Sequence, residues 1–389
     1  MPPIASVIHL SFENHGKWYI ALLSQPGDHG DYSTLIRWNR EVRSESVNLL
    51  LSLLTLLCIP SAVVIASSAI RRLRNKSAPP FKGVLGTCAI AAAITVVITL
   101  VISLILKATG FFDHQFYRPS ARDYGARDEL EFQPENVSFA SADGTMLHGW
   151  FLGSQDEPLG TVICFHGSDR NITHTTRNVH WLTRRGFNVF VFDYRGYGAS
   201  EGAPDRKGLI EDSVAAIDYV MTRSDVRPDS IILYGQSMGG QLALAAASIR
   251  KDSDIRLVIA EATYARQSYH LSDKLGQFGP LWLVKWAGWL LTSDEYCGES
   301  AIADLQSTPV LLVHGKSDTG VQPYHSERLF EAAAGAREIW RYEGSGHLQI
   351  FKERPSQDRL VDFIKTHLRP ADVGGDEVGR EPTDERESE

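Results

Sequence analysis

One stretch constrains the chain more than any other: Ile231-Ile-Leu-Tyr-Gly235-Gln-Ser237-Met-Gly239-Gly240, running on into Gln241-Leu-Ala-Leu-Ala-Ala-Ala. A β-prone apolar run ends at a glycine, a serine follows two residues later, and a strong helix former begins after two more glycines. The spacing predicts strand, sharp turn and helix, and Gly-Gln-Ser-Met-Gly fits G-x-S-x-G. A serine hydroxyl is a weak nucleophile unless it projects into a site beside a base and oxyanion donors, and such a turn gives that projection. Gly235 and Gly239 remove side chains that would clash where strand and helix come close. The helix N-terminus leaves the Met238 N–H free to face a developing oxyanion. The bare pattern recurs by chance in many chains, so the flanking strand and Ala/Leu helix carry much of the weight.

From residue 135 onward the sequence alternates short apolar runs with amphipathic ones. Residues 136–140 and 146–152 flank Asp143-Gly144, a hairpin signal. Strands are expected at 161–165, 188–192, 231–234, 257–260, 309–313 and 338–342. Helices are expected at 172–185, 207–223, 237–250, 324–334 and 348–367. This alternation predicts an α/β fold with a mostly parallel sheet covered on both faces. Residues 263–303 replace one crossover with a longer insertion, read as a helical cap. Its Trp282, Trp286 and Trp289, at offsets of four and three, fall on one face of a helix. They serve either to pack the cap on the sheet or to present an apolar lid to an acyl chain or a membrane interface.

Two further segments complete the serine. Val310-Leu-Leu-Val-His314-Gly315-Lys-Ser-Asp318 sets an acid just past a buried strand, where open α/β sheets place their sites. Tyr342-Glu-Gly344-Ser-Gly346-His347 ends the last strand in a flexible loop with one histidine. Ser237, Asp318 and His347 are thus a candidate triad, with His347 as general base and Asp318 fixing its tautomer. His314 is read as supporting its turn, and His270 and His325 as lying in the cap and at a helix start. Val162-Ile-Cys-Phe165-His166-Gly167-Ser168 ends a strand where a second oxyanion donor belongs, and the Ser168 backbone N–H is assigned that role beside Met238 N–H.

The N-terminal part differs in texture. Residues 1–46 lack signal-peptide patterning and yield no functional reading. Residues 47–70 and 83–106 are two runs of 24 uncharged residues, each long enough to span a hydrocarbon core of roughly 30 Å. The loop between them carries Arg71, Arg72, Arg74, Lys76 and Lys82 without an acid. The two-helix transmembrane hairpin so predicted has its loop in the cytoplasm and the catalytic domain on the non-cytoplasmic side. Residues 107–134 read as a juxtamembrane linker. Formal net charge is −8, and residues 371–389 alone hold eight acids against Arg380 and Arg386. That tail reads as disordered and solvating, and the near-neutral remainder gives no sign of a nucleic-acid partner, so none is expected. Cys58, Cys88, Cys164 and Cys297 show neither metal-site nor disulfide spacing.

Residues 135–368 resemble an α/β-hydrolase serine hydrolase, and most nearly the membrane-anchored group of yeast Bem46 proteins and their animal ABHD relatives. The resemblance rests on Phe165-His-Gly167, Phe192-Asp-Tyr-Arg-Gly-Tyr-Gly-Ala-Ser-Glu-Gly202, Tyr234-Gly-Gln-Ser-Met-Gly-Gly240, His314-Gly-Lys-Ser-Asp318 and Gly344-Ser-Gly-His347. Asp193 and Arg195 are read as a loop-fixing pair. Ser168-Asp169-Arg170 departs from the small Asn/Ala/Gly loop common in the group, and the paired hairpin departs from its single anchor. The resemblance implies a membrane-anchored hydrolase of carboxylic esters, with lipid esters or thioesters as candidate substrates; a triad and oxyanion hole suffice for acyl transfer and no cluster has ligand spacing, so no metal or organic cofactor is expected. Two rivals stay open: a serine aminopeptidase of the prolyl-oligopeptidase type, for which Glu201 and Glu261 are candidate holders of an amino terminus, and an inactive membrane scaffold. Asn136-Val-Ser and Asn171-Ile-Thr fit glycosylation acceptors.

Overall fold

The computed structural model describes residues 7–13, 17–23, 81–111, 116–131, 133–251, 254–277, 285–286 and 288–368. The chain divides into two compact units, Met1–Thr99 and Leu100–Glu389. In the first, β1 (Val7–Glu13) and β2 (Lys17–Leu23) pair antiparallel, with Phe12 opposite Trp18. Helix α1 (Phe81–Ala108) coincides with the second of the two expected spans and leaves Ile94, Val97, Val101 and Leu104 exposed. The first expected span, the 71–82 loop apart from its last two residues, and the acidic tail lie outside the described residues. Among the described residues no helix is long and apolar enough to cross a membrane. The side chains of α1 are described without a break only from Ala92 onward.

The second unit is built on an eight-stranded sheet in the order β12-β11-β10-β9-β6-β8-β5-β4. The hairpin β4 (Glu135–Ala140) and β5 (Met146–Leu152) closes where Asp143-Gly144 predicted, with Gly144 at φ 86°. β5 runs antiparallel to β8 (Phe187–Phe192). All remaining neighbours are parallel: β6 (Gly160–Phe165), β9 (Ile231–Gln236), β10 (Ile255–Glu261), β11 (Val310–Gly315) and β12 (Arg337–Tyr342). A two-residue strand β7 (Asp169–Arg170) pairs with β3 (Arg118–Pro119) beside the sheet.

Apart from the edge strand β12, the parallel strands are buried on both faces, so alternate residues feed two cores. Ile163, Phe165, Leu233 and Leu312 enter one, while Val162, Cys164, Ile232 and Leu311 enter the other. Each such side chain contributes about 1.5–3 kcal/mol on burial. Helices α3 (Arg206–Thr222) and α4 (Met238–Arg250) cover the first core, and α2 (Ile172–Val179) and α8 (Arg354–His367) the second. Asn171 and Asp205 cap α2 and α3 by accepting from Thr173 N and Gly208 N. The cap role explains why Asn171 is no glycosylation acceptor in the folded chain: it is 1% exposed and also donates to the Ser120 and Arg122 carbonyls.

Three expected helices are shorter. The 172–185 helix tightens into a 3-10 turn over His180–Arg185 and ends at Gly186. The closing helix starts at Arg354, because Pro355 suits a first turn and not an interior. The 324–334 helix is α7 (Tyr324–Ala332). In the cap, α5 (Gln267–Gly276) is followed by a short turn of helix at Gly288–Leu291 and by α6 (Gly298–Asp304). Trp282 lies outside the described residues. Trp286 and Trp289 are 62% and 59% exposed, so core packing does not account for either. Lys107 reaches the Trp289 carbonyl at 3.3 Å.

Candidate active site

Four strand ends supply the site, all at the carboxyl edge of the sheet. Ser237 sits between β9 and α4 at φ 55°, ψ −119°, a conformation that costs a non-glycine residue roughly 1–3 kcal/mol. The strain follows from the crossing of strand and helix. A Cβ on Gly239 would lie 2.0 Å from the Phe165 carbonyl oxygen, and one on Gly235 2.3 Å from the Gly239 oxygen. Only glycine at both positions lets α4 lean close enough for the turn to be this sharp. Met238 begins α4, so its N–H has no intrahelical acceptor.

Asp318 follows β11 and is buried. Its Oδ1 accepts from Gly320 N at 2.7 Å and Val321 N at 3.0 Å. Its Oδ2 accepts from His347 Nδ1 at 2.7 Å. His314 Nε2 stands 3.3 Å from the same oxygen and 3.0 Å from the Val321 carbonyl, while His314 Nδ1 lies 2.6 Å from Ser326 Oγ. A carbonyl cannot donate, so His314 carries its proton on Nε2, aims it at Val321 and Asp318, and accepts from the serine hydroxyl. Burial would raise the Asp318 carboxyl, but the hydrogen bonds from His314 and His347 outweigh it and hold it below the usual carboxylate range. His314 therefore does more than support its turn: it is a second histidine on the acid that orients His347. The i, i+4 spacing of His314 and Asp318 was the sequence signal.

Ser237 and His347 line one cavity of about 340 Å³, together with Gly167, Ser168, Arg170, His174 and Lys352. No hydrogen bond joins Ser237 Oγ to His347 among the described residues. Such contacts tighten when substrate is bound. With Nδ1–H given to Asp318, His347 presents Nε2 as the basic nitrogen.

The loop after β6 has an internal support. His166 Nδ1 lies 2.7 Å from the Gly167 carbonyl oxygen, and burial keeps its imidazole neutral. That carbonyl belongs to the peptide whose other end is the Ser168 N–H. A trans peptide directs its C=O and N–H oppositely, so His166 fixes the N–H assigned to the oxyanion. The Ser168 carbonyl accepts from Tyr197 Oη at 3.0 Å and Arg118 N at 2.8 Å, which pins the next peptide.

Asp193 and Arg195 fix their loop, but not as a pair. Asp193 accepts from Ile172 N at 2.9 Å and stands 3.7 Å from His166 Nε2. Arg195 instead meets Asp212 and Asp143. The two acids considered for an amino terminus are both elsewhere. Glu201 is exposed and Glu261 is 1% exposed, and neither lines the cavity. Glu261 accepts from Tyr234 Oη at 2.5 Å and Gln236 Nε2 at 2.9 Å.

Burial pushes the Glu261 carboxyl up, with the two hydrogen bonds opposing. An acid raised in the folded state stabilises below its unfolded value of about 4.3, and that contribution is lost as pH rises through the folded value. Glu261→Gln keeps an oxygen acceptor without the charge. Its melting temperature should exceed that of wild type by a few degrees more at pH 8 than at pH 4, measured by calorimetry. An equal difference at both pH values would contradict a raised carboxyl.

Comparison with known proteins bears on the fold. A family model described as serine aminopeptidase, S33 (Hydrolase_4), matches residues 156–295. YfhR of Escherichia coli (strain K12) is 35% identical over 262 residues, 66% of this chain and 88% of that protein. The chain belongs to the α/β-hydrolase family. Its homologues include the α/β-hydrolase domain-containing protein WAV2 of Arabidopsis thaliana (32% identity, 51% of this chain, 67% of WAV2) and Bem46 of Schizosaccharomyces pombe (26%, 56% and 74%). Among solved structures, the Pyrococcus furiosus esterase Pf2001 superposes with a TM-score of 0.53 at 21% identity, covering 65% of this chain and 97% of that one. Acetyl xylan esterase 1 from Thermoanaerobacterium sp. gives 0.50 at 18%, covering 65% and 96%. At these identities the likeness is one of fold.

Proposed function

We propose that this α/β-hydrolase cleaves carboxylic esters through an acyl-enzyme, with Ser237 as nucleophile, His347 as general base and Asp318 as the acid that orients it. The observation that carries the reading is the 2.7 Å bond from His347 Nδ1 to buried Asp318, with His347 on the wall of the cavity that holds strained Ser237. His347 Nε2 takes the Ser237 proton as Oγ attacks the ester carbonyl, and the N–H groups of Met238 and Ser168 receive the oxyanion. The protonated imidazole returns the proton to the departing alcohol. Water then attacks the acyl-serine, again with His347 as base, and the acid leaves. Turnover of a p-nitrophenyl ester series from acetate to palmitate, by wild type and Ser237→Ala, tests this. Ester turnover that persists in Ser237→Ala would overturn it.

The family model's description favours a second reading, an aminopeptidase. Against it, the cavity wall carries Arg170 and Lys352, which would repel a charged amino terminus, and neither Glu201 nor Glu261 reaches it. Aminoacyl-p-nitroanilides cleaved faster than esters would decide for the peptidase. Membrane anchoring by a hairpin over 47–106, with the catalytic domain non-cytoplasmic, belongs to the same proposal. It is supported by the two uncharged runs, the exposed apolar side chains of α1, and exposed Trp286 and Trp289. Together they favour lipid esters over soluble ones. Protease protection of the catalytic domain in right-side-out vesicles would overturn the orientation.

His314 gives a test specific to this geometry. His314→Ala removes a donor from Asp318, so the carboxylate becomes more basic and holds a proton-bearing partner more tightly. The acidic limb of the kcat/KM profile should move to higher pH, and kcat should fall about 10-fold, the ratio set by about 1.4 kcal/mol. His314→Gln, which can still donate, should recover part of both. An unmoved limb would mean that His314 only supports the turn.

A further inference from the structure

We infer that the cavity beside Ser237 binds an anionic group of the substrate, a carboxylate or a phosphate, between Arg170 and Lys352. The inference rests on the hydrolase reading and names the substrate class of that same site. Three features of the wall lead to it. The cations come from two separate segments: Arg170 from β7, and Lys352 from the 3-10 turn (Ile350–Lys352) that follows His347 by a few residues. Asp169 is the one acid among the lining residues. It is 61% exposed and stands 3.6 Å from Arg170 Nε, a loose pairing that does not neutralise the guanidinium. The Lys352 ammonium has no hydrogen bond or ion pair among the described residues.

The backbone also places Arg170 at some cost. It lies at φ 72°, a left-handed conformation rare outside glycine, held by the pairing of Asp169 and Arg170 with Arg118 and Pro119. A loop that only had to turn would use glycine there. Arg170 Nη1 meets His174 Nε2, which fixes that imidazole as an acceptor and the arginine in the cavity wall. Burial first, and then Arg170 and Arg177, hold His174 neutral, so it offers no competing charge. Arg177 is itself paired with Glu129. A planar guanidinium and a mobile ammonium around one cavity match the oxygens of a carboxylate or phosphate. Ester hydrolysis then proceeds as above, with the anion a bystander that orients the ester on Ser237.

The test compares matched esters. In the carboxylate arm, p-nitrophenyl butyrate is set against the p-nitrophenyl monoester of glutaric acid. In the phosphate arm, monooleoylglycerol is set against 1-oleoyl lysophosphatidic acid, with oleate release as the readout. The kcat/KM ratio of anionic to neutral ester should exceed one in at least one arm, and that arm identifies the group. Arg170→Gln and Lys352→Gln should each lower the ratio about 5-fold, the effect of one unit charge at contact in a high dielectric. Raised salt should lower it further. Lys365→Gln, on α8 away from the cavity, controls for net charge and should leave the ratio unchanged. Ratios at or below one in both arms, or ratios indifferent to both cavity variants, would overturn the inference while Ser237-dependent turnover of the neutral ester leaves the hydrolase reading standing. No Ser237-dependent turnover of any ester, with no fluorophosphonate labelling of Ser237, would overturn both.

Discussion

Ser237→Ala is expected to abolish fluorophosphonate labelling and to lower kcat for p-nitrophenyl esters by about 10⁶-fold, because the residues of a triad act as a unit. Asp318→Asn should cost about 10⁴-fold with the fold intact. An amide at that position would offer an N–H to His347 Nδ1 and favour the wrong tautomer. The acceptor load on Asp318 makes the second variant the more informative. Its Oδ1 already takes the Gly320 and Val321 amides, so Oδ2 alone faces His347 and His314. The side-chain amide in Asp318→Asn must keep its oxygen toward the backbone amides and turn its NH₂ group to the imidazole. Near-wild-type turnover in Asp318→Asn would remove Asp318 from the mechanism. Residual turnover in Ser237→Ala with the same chain-length profile would show the wrong nucleophile.

Arg195→Met is expected to lose about 3–5 kcal/mol of stability, which lowers Tm by roughly 10 °C. Arg195 is 6% exposed and donates to Asp212, which is 0% exposed, at 2.8 Å, as well as to Asp143 at 2.9 Å and Ser141 Oγ at 3.1 Å. Removing the guanidinium leaves the Asp212 carboxylate buried with, among the described residues, only the residue 195 backbone N–H as donor. The penalty is that uncompensated charge and not the lost pair itself. Arg195→Met/Asp212→Leu should therefore regain most of the loss, since both desolvation costs then vanish. A single variant as stable as wild type, by thermal and urea unfolding, would show that water reaches Asp212. The network ties the β4–β5 turn to the loop after β8 and to α3, so proteolysis in the 193–202 loop should also quicken.

Much of the geometry around Ser237 was legible because it is set locally. Gly-x-Ser-x-Gly after an apolar run specifies a turn through sterics alone, and the close backbone approaches at Gly235 and Gly239 are those sterics. The approach of His347 to Asp318 was legible for another reason: the two follow neighbouring parallel strands, β12 and β11, and parallel strands bring their carboxyl ends to one edge. The cap was legible only in outline. Its three tryptophans suggested a single helical face; among the described residues Trp289 lies in the helical turn Gly288–Leu291, and Trp286 and Trp289 are both exposed. Periodicity reports which residues share a face, not what that face meets.

Other roles depended on distances between segments far apart in the chain. Asp193 and Arg195, two residues apart in sequence, serve different partners, from α2 and α3. Glu261 looked available by its place at a strand end, but Tyr234 and Gln236 claim it beneath the sheet edge. Arg170 and Lys352 lie 182 positions apart and share a wall only because β7 and the turn after His347 converge on it. By itself, then, the sequence determined the strand–helix alternation, the sharp turn at Ser237 and the order of Ser237, Asp318 and His347, since backbone sterics and burial period act over a few residues. The tertiary structure decided which charged groups are buried and paired and which face the cavity, because electrostatic pairing is settled by proximity in space, and a linear chain does not encode proximity locally.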